Sequence, residues 1–245
     1  MKKLLFLLSV LGAGASMAQD FDPIVTDRPT QSAAASVMPQ GKFLLEYGFL
    51  KETQTTDIFN YTYANFHLRY GVVEGVEIRL TQNYLGFKDN TSDMSETGLS
   101  PLTIGTKVHL VEENGAVPQI SVIGQITLAN GDNNFKPSQA IPELRLNFAN
   151  TLSDKFSLGY NLGMNFPEDN STSFYSVVLG YALADGFTLF AEPYGFFSDG
   201  NADHRFNTGL IYLASNNLQF DVSVGWGLSD ISPDSFISFG AAFGF

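Results

Sequence analysis

The sequence has no cysteine, which excludes both disulfides and thiolate metal sites. Charge is scarce: only 16% of residues are charged, and 25 acidic residues against 13 basic ones leave a formal net charge of −12. That balance argues against nucleic acid, whose protein partners carry a basic stripe. Past the N-terminus no apolar run approaches the roughly 20 residues that a membrane helix needs. What the chain has instead is aromatic residues and glycine, with 22 Phe, 10 Tyr and 23 Gly. The mixture is too aromatic for a disordered chain and too polar for a bundle of membrane helices.

The first residues carry an address. "MKKLLFLLSVLGAGASMAQ" has Lys2 and Lys3, an apolar run from Leu4 to Ala15, and small residues Ser16 and Ala18 ahead of a cut. This predicts a signal peptide over 1–18, cleaved near Ala18, and an exported protein. The run is short and glycine-broken for an anchor helix, and no Cys follows the cut to take a lipid. The remainder divides into an N-terminal periplasmic or plug segment over 19–40 and a β-rich body over 41–245.

Alternation with the period of a strand dominates the body. In "FSLGYNLGMNF", Phe156, Leu158, Tyr160, Leu162, Met164 and Phe166 face one way, and Ser157, Gly159, Asn161, Gly163 and Asn165 the other. About twelve such segments recur, each of about 10 to 12 residues, close to the roughly 9–11 that a tilted strand needs to cross a bilayer. Short turns such as "LSDK", "ADG" and "SNN" alternate with longer polar links at 52–59, 86–99, 130–139, 167–172, 198–204 and 229–234. The pattern predicts an all-β fold, a transmembrane antiparallel β-barrel with short periplasmic turns and longer extracellular loops, in the outer membrane of a Gram-negative bacterium. An even strand count puts both chain ends on the periplasmic side. A water-soluble sandwich would need polar residues on the face that here is apolar.

Backbone groups in lipid must all pair, so such a sheet closes on itself. Outward aromatics are expected in two girdles, with Phe43, Tyr70, Phe156, Tyr212 and Phe220 near one interface and Phe49, Tyr84, Phe166, Tyr175 and Trp226 near the other. The final "SFISFGAAFGF" ends on Phe245, an aromatic of the kind that the barrel-insertion machinery reads in outer-membrane barrels as a class.

The opposite parity lines the lumen. It holds Lys42, Arg69, Arg79, Lys107 and Arg145 with Glu46, Glu77, Glu143, Glu192 and Asp221, and the histidines His67 and His109. The charges balance, and either fill space as an ion-pair ladder that fixes register or sort permeants by charge. The excess acid is expected in loops, at Asp89, Asp93, Glu96, Asp132, Asp203 and others. Many inward glycines, Gly48, Gly163, Gly225 and Gly240 among them, leave room for something else. The candidate is "FDPIVTDRPTQSAAASVMPQ", whose Asp27 and Arg28 can pair with lumenal charges; the other option is a flexible periplasmic tail.

"VTDRPTQSAAASVMPQGKFLLEYGF" resembles the start of a family of predicted outer-membrane transporters grouped with proteins of the phenol meta-cleavage degradation pathway. The family opens with a "TDRP" signature, then Pro-x-Gly and the first strand. Thr26, Asp27, Arg28, Pro29, Pro39, Gly41, Glu46 and Gly48 match it, and Thr30 stands where the pattern often has an acidic residue. The resemblance implies a barrel for uptake of small aromatic or apolar compounds.

Three function classes follow. The first is a channel or transporter for passive uptake of small molecules, in contact with outer-membrane lipids and needing no cofactor. The second is a structural or adhesion barrel acting through its loops, although these are modest. The third is a barrel enzyme such as a phospholipase. It would require a nucleophile, base and orienting group within hydrogen-bond reach on the lipid side, whereas His67 and His109 face inward and no G-x-S-x-G elbow occurs. A metal site built from His67, His109 and a glutamate would need both rings at one depth; none is expected.

Overall fold

A computed structural model of the chain describes residues 22–245; the signal peptide, its cleavage near Ala18 and residues 19–21 lie outside the described residues. The described body is strands: β1 (Phe43–Thr53), β2 (Ile58–Val73), β3 (Val76–Asp89), β4 (Met94–Leu99), β5 (Thr103–Val111), β6 (Gln119–Thr127), β7 (Ile141–Thr151), β8 (Phe156–Asn165), β9 (Thr172–Ala184), β10 (Phe187–Ser198), β11 (Asn201–Ser215), β12 (Leu218–Gly227) and β13 (Ser235–Gly244). Sequential neighbours pair antiparallel, and β13 pairs with β1 from Leu44–Gly244 to Thr53–Ser235, so the sheet closes.

The thirteen strands make a twelve-stave barrel because β4 and β5 share one stave. The outer half of β3 pairs with β4 and its inner half with β5. Between them Ser100, Pro101 and Leu102 lie outside any strand, and Pro101 has no N–H to give a ladder. Gln82 donates to the Ser100 carbonyl there (2.6 Å).

The two faces are inverted relative to a water-soluble sheet. Along the outer wall Leu144, Leu162 and Phe239 are each more than half exposed, while Glu46, Arg69, Glu77 and Lys107 on the inner wall have no exposed surface. Apolar rows outside and charges inside suit a sheet whose outer solvent is hydrocarbon. Aromatic girdles bound that face. On the turn side Phe43 stacks on Tyr70 (4.2 Å between centroids) and on Phe245 (5.4 Å), and Phe187 on Tyr212 (4.4 Å). On the loop side Phe49 stacks on Phe239 (4.9 Å), and Tyr63 lies against Tyr84 (6.0 Å).

Three links expected to be long loops are not, and in the first, 52–59, only a turn at 54–57 separates β1 from β2. Residues 86–99 are the end of β3, a turn at 90–93 and β4; residues 198–204 are a two-residue turn between β10 and β11. Asp199 (φ 53°) and Gly200 (φ 76°) both take left-handed backbone there, the geometry whose twist matches the flanking strands. Consequently Glu96 and Asp203 are strand residues, not solvated loop acids.

Leu162 lies midway along β8 between Leu146 and Tyr175 of the adjoining strands. Leu162→Arg is expected to destabilise the barrel by about 2–4 kcal/mol, the cost of a midplane cation. Urea titration of vesicle-inserted protein checks this.

Candidate functional site

Residues 22–40 form no strand, yet they run inside the barrel. The segment enters at the turn-side rim, where Ile24 N–H donates to the Asn216 carbonyl (2.8 Å). It rises to a cis Arg28–Pro29 bond, crosses to β10 and β8, and returns to the rim, where Gly41 N–H reaches the Gly71 carbonyl (2.8 Å).

Because the segment has no ladder of its own, its buried backbone groups must find partners elsewhere. The wall supplies them by charge type. Acids take the N–H groups. Glu46 accepts from Asp27 (3.1 Å) and Arg28 (2.9 Å), Glu192 from Gln31 (2.9 Å) and Ser32 (2.7 Å), and Glu77 from Met38 (2.8 Å). Bases take the carbonyls. Arg69 donates to Val25 (2.9 Å), Lys107 to Ala34 (2.8 Å) and Ser36 (3.2 Å), and Arg145 to Gln31 (3.2 Å). Asn161 does both for Ala33, accepting from its N–H (2.6 Å) and donating to its carbonyl (3.0 Å).

Two side chains of the segment reciprocate. The Asp27 carboxylate accepts from Arg79 Nη2 and the Ala34 N–H, with Arg69 at 3.6 Å and Lys107 at 3.7 Å. Burial alone would raise its pKa, but Lys107, Arg79 and Arg69 together hold the carboxyl well below the ordinary 3.8. It is therefore a carboxylate at neutral pH. Arg28 reaches the other way, to Asp221 (2.9 Å) and Ser238 (3.1 Å). Its guanidinium passes directly over Gly48 of β1 and Gly240 of β13, which face each other. A Cβ at either position would collide with it.

The residues singled out in the sequence thus divide. Glu46, Arg69, Glu77, Arg79 and Lys107 gather around Asp27, Asp221 holds Arg28, and Glu192 holds the turn after Thr30. Glu143 and Arg145 pair with each other (3.0 Å) on β7. Thr26 hydrogen-bonds Gln219 (3.0 Å), and the Pro29 carbonyl accepts from Asn207 (3.3 Å). Lys42 sits at the turn-side rim just before β1 and outside the cluster. The ten charges are therefore not one ladder of pairs.

His67 lies in the cluster, its Nδ1 bonded to Thr81 (2.7 Å) and its Nε2 3.8 Å from Asp27. His109 is at the turn-side rim beside Glu112 (3.2 Å). The two histidines do not converge. Asp27, Glu46 and His67 do offer ligand atoms within 4.8 Å of one another. Arg79 already occupies Asp27, and Arg69 stands 3.5 Å from Glu46, so a metal ion there would meet guanidinium charge.

Sequence parity missed a second lumenal set. Phe174, Phe190, Tyr194 and Phe236 are buried on the inner wall, and the Arg145 guanidinium lies 4.6 Å above the Phe174 ring. Their rings fill the space over glycines, Phe174 over Gly163 and Phe236 over Gly225. The signal was present in "TSFYS" and "FAEPYGFF", where bulky residues occupy both parities. Arg205 was missed as well; it pairs with Asp203 (2.6 Å) on its own strand β11 and with Glu52 (3.1 Å) of β1.

The segment divides the lumen into two chambers. A cavity of about 510 Å³ lies on the loop side, bounded by Arg28–Ala33 and by wall residues such as Asn65, Asn83 and Phe236. A second, of about 470 Å³, lies on the turn side, bounded by Ile24, Val25, Ala34 and Ala35 with Val178, Phe190 and Ile211. The first is predominantly polar and the second predominantly apolar.

The model of the family described as "Putative MetA-pathway of phenol degradation" matches residues 26–245. Among curated proteins none matches the sequence. In fold the chain is similar to the COG4313 outer-membrane channel from Pseudomonas putida F1, at 12% identity and a TM-score of 0.73, over 89% of this chain and 100% of that one. It is also similar to the KdgM porin in complex with disordered oligogalacturonate (12% identity, TM-score 0.58, 82% and 99% covered) and to the NanC porin (6% identity, TM-score 0.58, 82% and 98% covered). At these identities the likeness carries the fold, an outer-membrane barrel of Gram-negative bacteria.

Gly48→Leu is expected to push the Arg28 guanidinium off Asp221 and loosen the segment while leaving the barrel closed. Hydrogen exchange should then show the amides of residues 27–34 losing about tenfold or more in protection, with the β7–β8 amides unchanged.

Proposed function

Because the chain belongs to the family described as "Putative MetA-pathway of phenol degradation", we propose that it is an outer-membrane channel for passive uptake of small aromatic or apolar molecules. Residues 22–40 act as its plug. The observation that carries this reading is the division of one lumen into two chambers by a segment held by side-chain bonds, not by a ladder. A barrel of about eight strands fills its lumen with side chains alone; this wider one holds a bonded segment with a chamber on each side. Each chamber, at about 510 and 470 Å³, is within the roughly 300–1,000 Å³ of small-molecule sites.

The family description supports an aromatic passenger, as do the lumenal rings of Phe174, Phe190, Tyr194 and Phe236. The chain does no chemistry on the solute; its lumenal charges are engaged in holding the segment. No energy-coupling element enters this reading, so solute moves down its gradient. Insertion of the barrel is assigned to the strand end at Phe245, which is exposed at the turn-side girdle against Phe43.

Planar-bilayer conductance and liposome swelling with phenol-sized solutes test the proposal, comparing the mature chain with one lacking 19–40. Conductance is expected to appear or grow on deletion. Silence from both versions, in barrels that still shift mobility on heating, would overturn the plugged-channel reading and favour a structural barrel. Asp27→Ala leaves Arg79, Arg69 and Lys107 short of a buried partner, a loss on the order of 3–5 kcal/mol. It is expected to raise the open-state dwell time by at least about tenfold in the same recordings.

A further inference from the structure

All five arginines, Arg28, Arg69, Arg79, Arg145 and Arg205, are engaged with acids inside the barrel. The outer wall is correspondingly poor in positive charge. Among the described strands, its loop-side end carries lysine or arginine at one place only: Lys51 on β1 and Lys88 on β3.

The register puts them on one patch. Lys51 stands opposite Tyr61 of β2, and Lys88 opposite Phe59 of the same strand. The Lys51 ammonium leans over the Phe59 ring, 4.7 Å from its centroid. The two lysines therefore flank Phe59 from either side, their backbones two strand spacings and two residues of register, or roughly 12 Å, apart. Directly toward the membrane follow the girdle rings: Tyr61 stacked on Tyr63 (5.2 Å), Tyr63 against Tyr84 (6.0 Å), and Phe49 on Phe239 (4.9 Å). Asp89, next to Lys88, is turned into the hairpin tip, where it caps Thr91 (2.8 Å) and Ser92 (2.7 Å).

We propose that this patch binds a phosphorylated glycolipid of the outer leaflet, the lipid A class, with Lys51 and Lys88 on its phosphate and the aromatic girdle against its sugar and acyl roots. The inference rests on the outer-membrane reading of the barrel and is independent of what the lumen carries. Three features point to it. The lysines sit on the loop-side edge of the girdle, the depth at which headgroup phosphate lies. They are the exception on a surface of strongly negative net charge. The wall below them is a continuous aromatic floor. Lysine is a mobile point charge with three donors, suited to a phosphate whose position varies, and its stem lies along apolar surface while the head reaches the interface. A glycolipid ring stacks on Tyr or Phe faces in the way any amphipathic ring prefers that depth.

The test uses the mature chain in phosphatidylcholine vesicles doped with bis-phosphorylated lipid A or with its dephosphorylated form. The lipid retained after detergent extraction is counted by native mass spectrometry. The wild-type protein is expected to retain the phosphorylated form at least about tenfold over the dephosphorylated one, the scale expected of two lysines at an anionic surface. K51Q/K88Q is expected to bring the two forms level, while K136Q/K155Q, which changes lysines of a loop and of a periplasmic turn, behaves as wild type. Heat-modifiable gel mobility confirms that each barrel is folded, and the single variants K51Q and K88Q should each give an intermediate loss. Equal retention of both lipids by the wild type overturns the proposal, as does wild-type retention by K51Q/K88Q. Release of the lipid by millimolar inorganic phosphate would also overturn it, because the site would then be one for free anion. Because none of these readouts depends on conductance, failure of the channel reading and failure of this one are distinguishable.

Discussion

The structure depends on satisfying the backbone of an irregular segment in the middle of a barrel. Nineteen residues without a ladder, 22–40, carry N–H and C=O groups that cost free energy when buried unpaired. The two adjoining chambers leave room for water along only part of the segment, and the groups that press on the wall need partners there. The inner wall answers with long charged side chains. A carboxylate accepts from two neighbouring N–H groups at once, as Glu46 and Glu192 do, and a guanidinium reaches a carbonyl while still bonded to an acid, as Arg69 does between Val25 and Glu77. The charge-rich interior is the counterpart of a plug that lacks secondary structure.

From that constraint the other peculiarities follow. Arg28 must lie flat to reach Asp221, and only a wall bare of side chains at Gly48 and Gly240 lets it. Both glycines cost their strands packing; the nearby bulge belongs to β2, which fits three steps, Asn65 to Thr62, against two of β1, Gly48 to Leu50. The arginines are drawn inward for the same reason, which strips the outer wall of guanidinium and leaves its polarity to aromatic girdles and a few lysines.

Much of the barrel was legible because period two is the strongest signal that a two-faced strand can give. β8 shows it residue by residue, and Leu162 and Asn161 went to opposite faces as their chemistry demanded. The inward parity of Glu46, Arg69, Glu77, Arg79 and Lys107 was readable for the same reason. Three things were not. The stave broken at Pro101 looked like a loop followed by one strand, since a local pattern does not record which half of β3 a segment pairs with. The Asp199–Gly200 turn was hidden in a polar stretch, where polarity reads as loop although positive-φ residues were supplying a tight hairpin. The lumenal aromatics broke the parity rule itself: a ring that packs over an inward glycine on the next strand is apolar on both faces of the count, and only the register Gly163–Phe174 reveals it. The convergence of the charges on Asp27 was likewise invisible, because depth within a barrel is set by stagger between strands and not by position along one.

How the segment could leave such a site is itself a question of charge. Around Asp27 the wall contributes Glu46 and Glu77 against Arg69, Arg79 and Lys107, an excess of one positive charge that Asp27 neutralises. Around Arg28 the wall contributes Asp221, which Arg28 neutralises. Withdrawal removes one charge of each sign, so the wall groups that faced Asp27 and Arg28 sum to no net charge but leave a positive pole on β2, β3 and β5 and a negative one on β12. Those poles would be ruinous in a dry core, where an orphaned ion costs several kcal/mol. Here chambers already adjoin the segment on both sides, so water that enters as the segment leaves solvates both poles and lowers that cost. On the plugged-channel reading the same separation of charge would draw the segment back in one orientation, Asp27 toward the arginines and Arg28 toward Asp221. A lumen balanced without poles would hold its plug less specifically, and one without adjoining water would never release it.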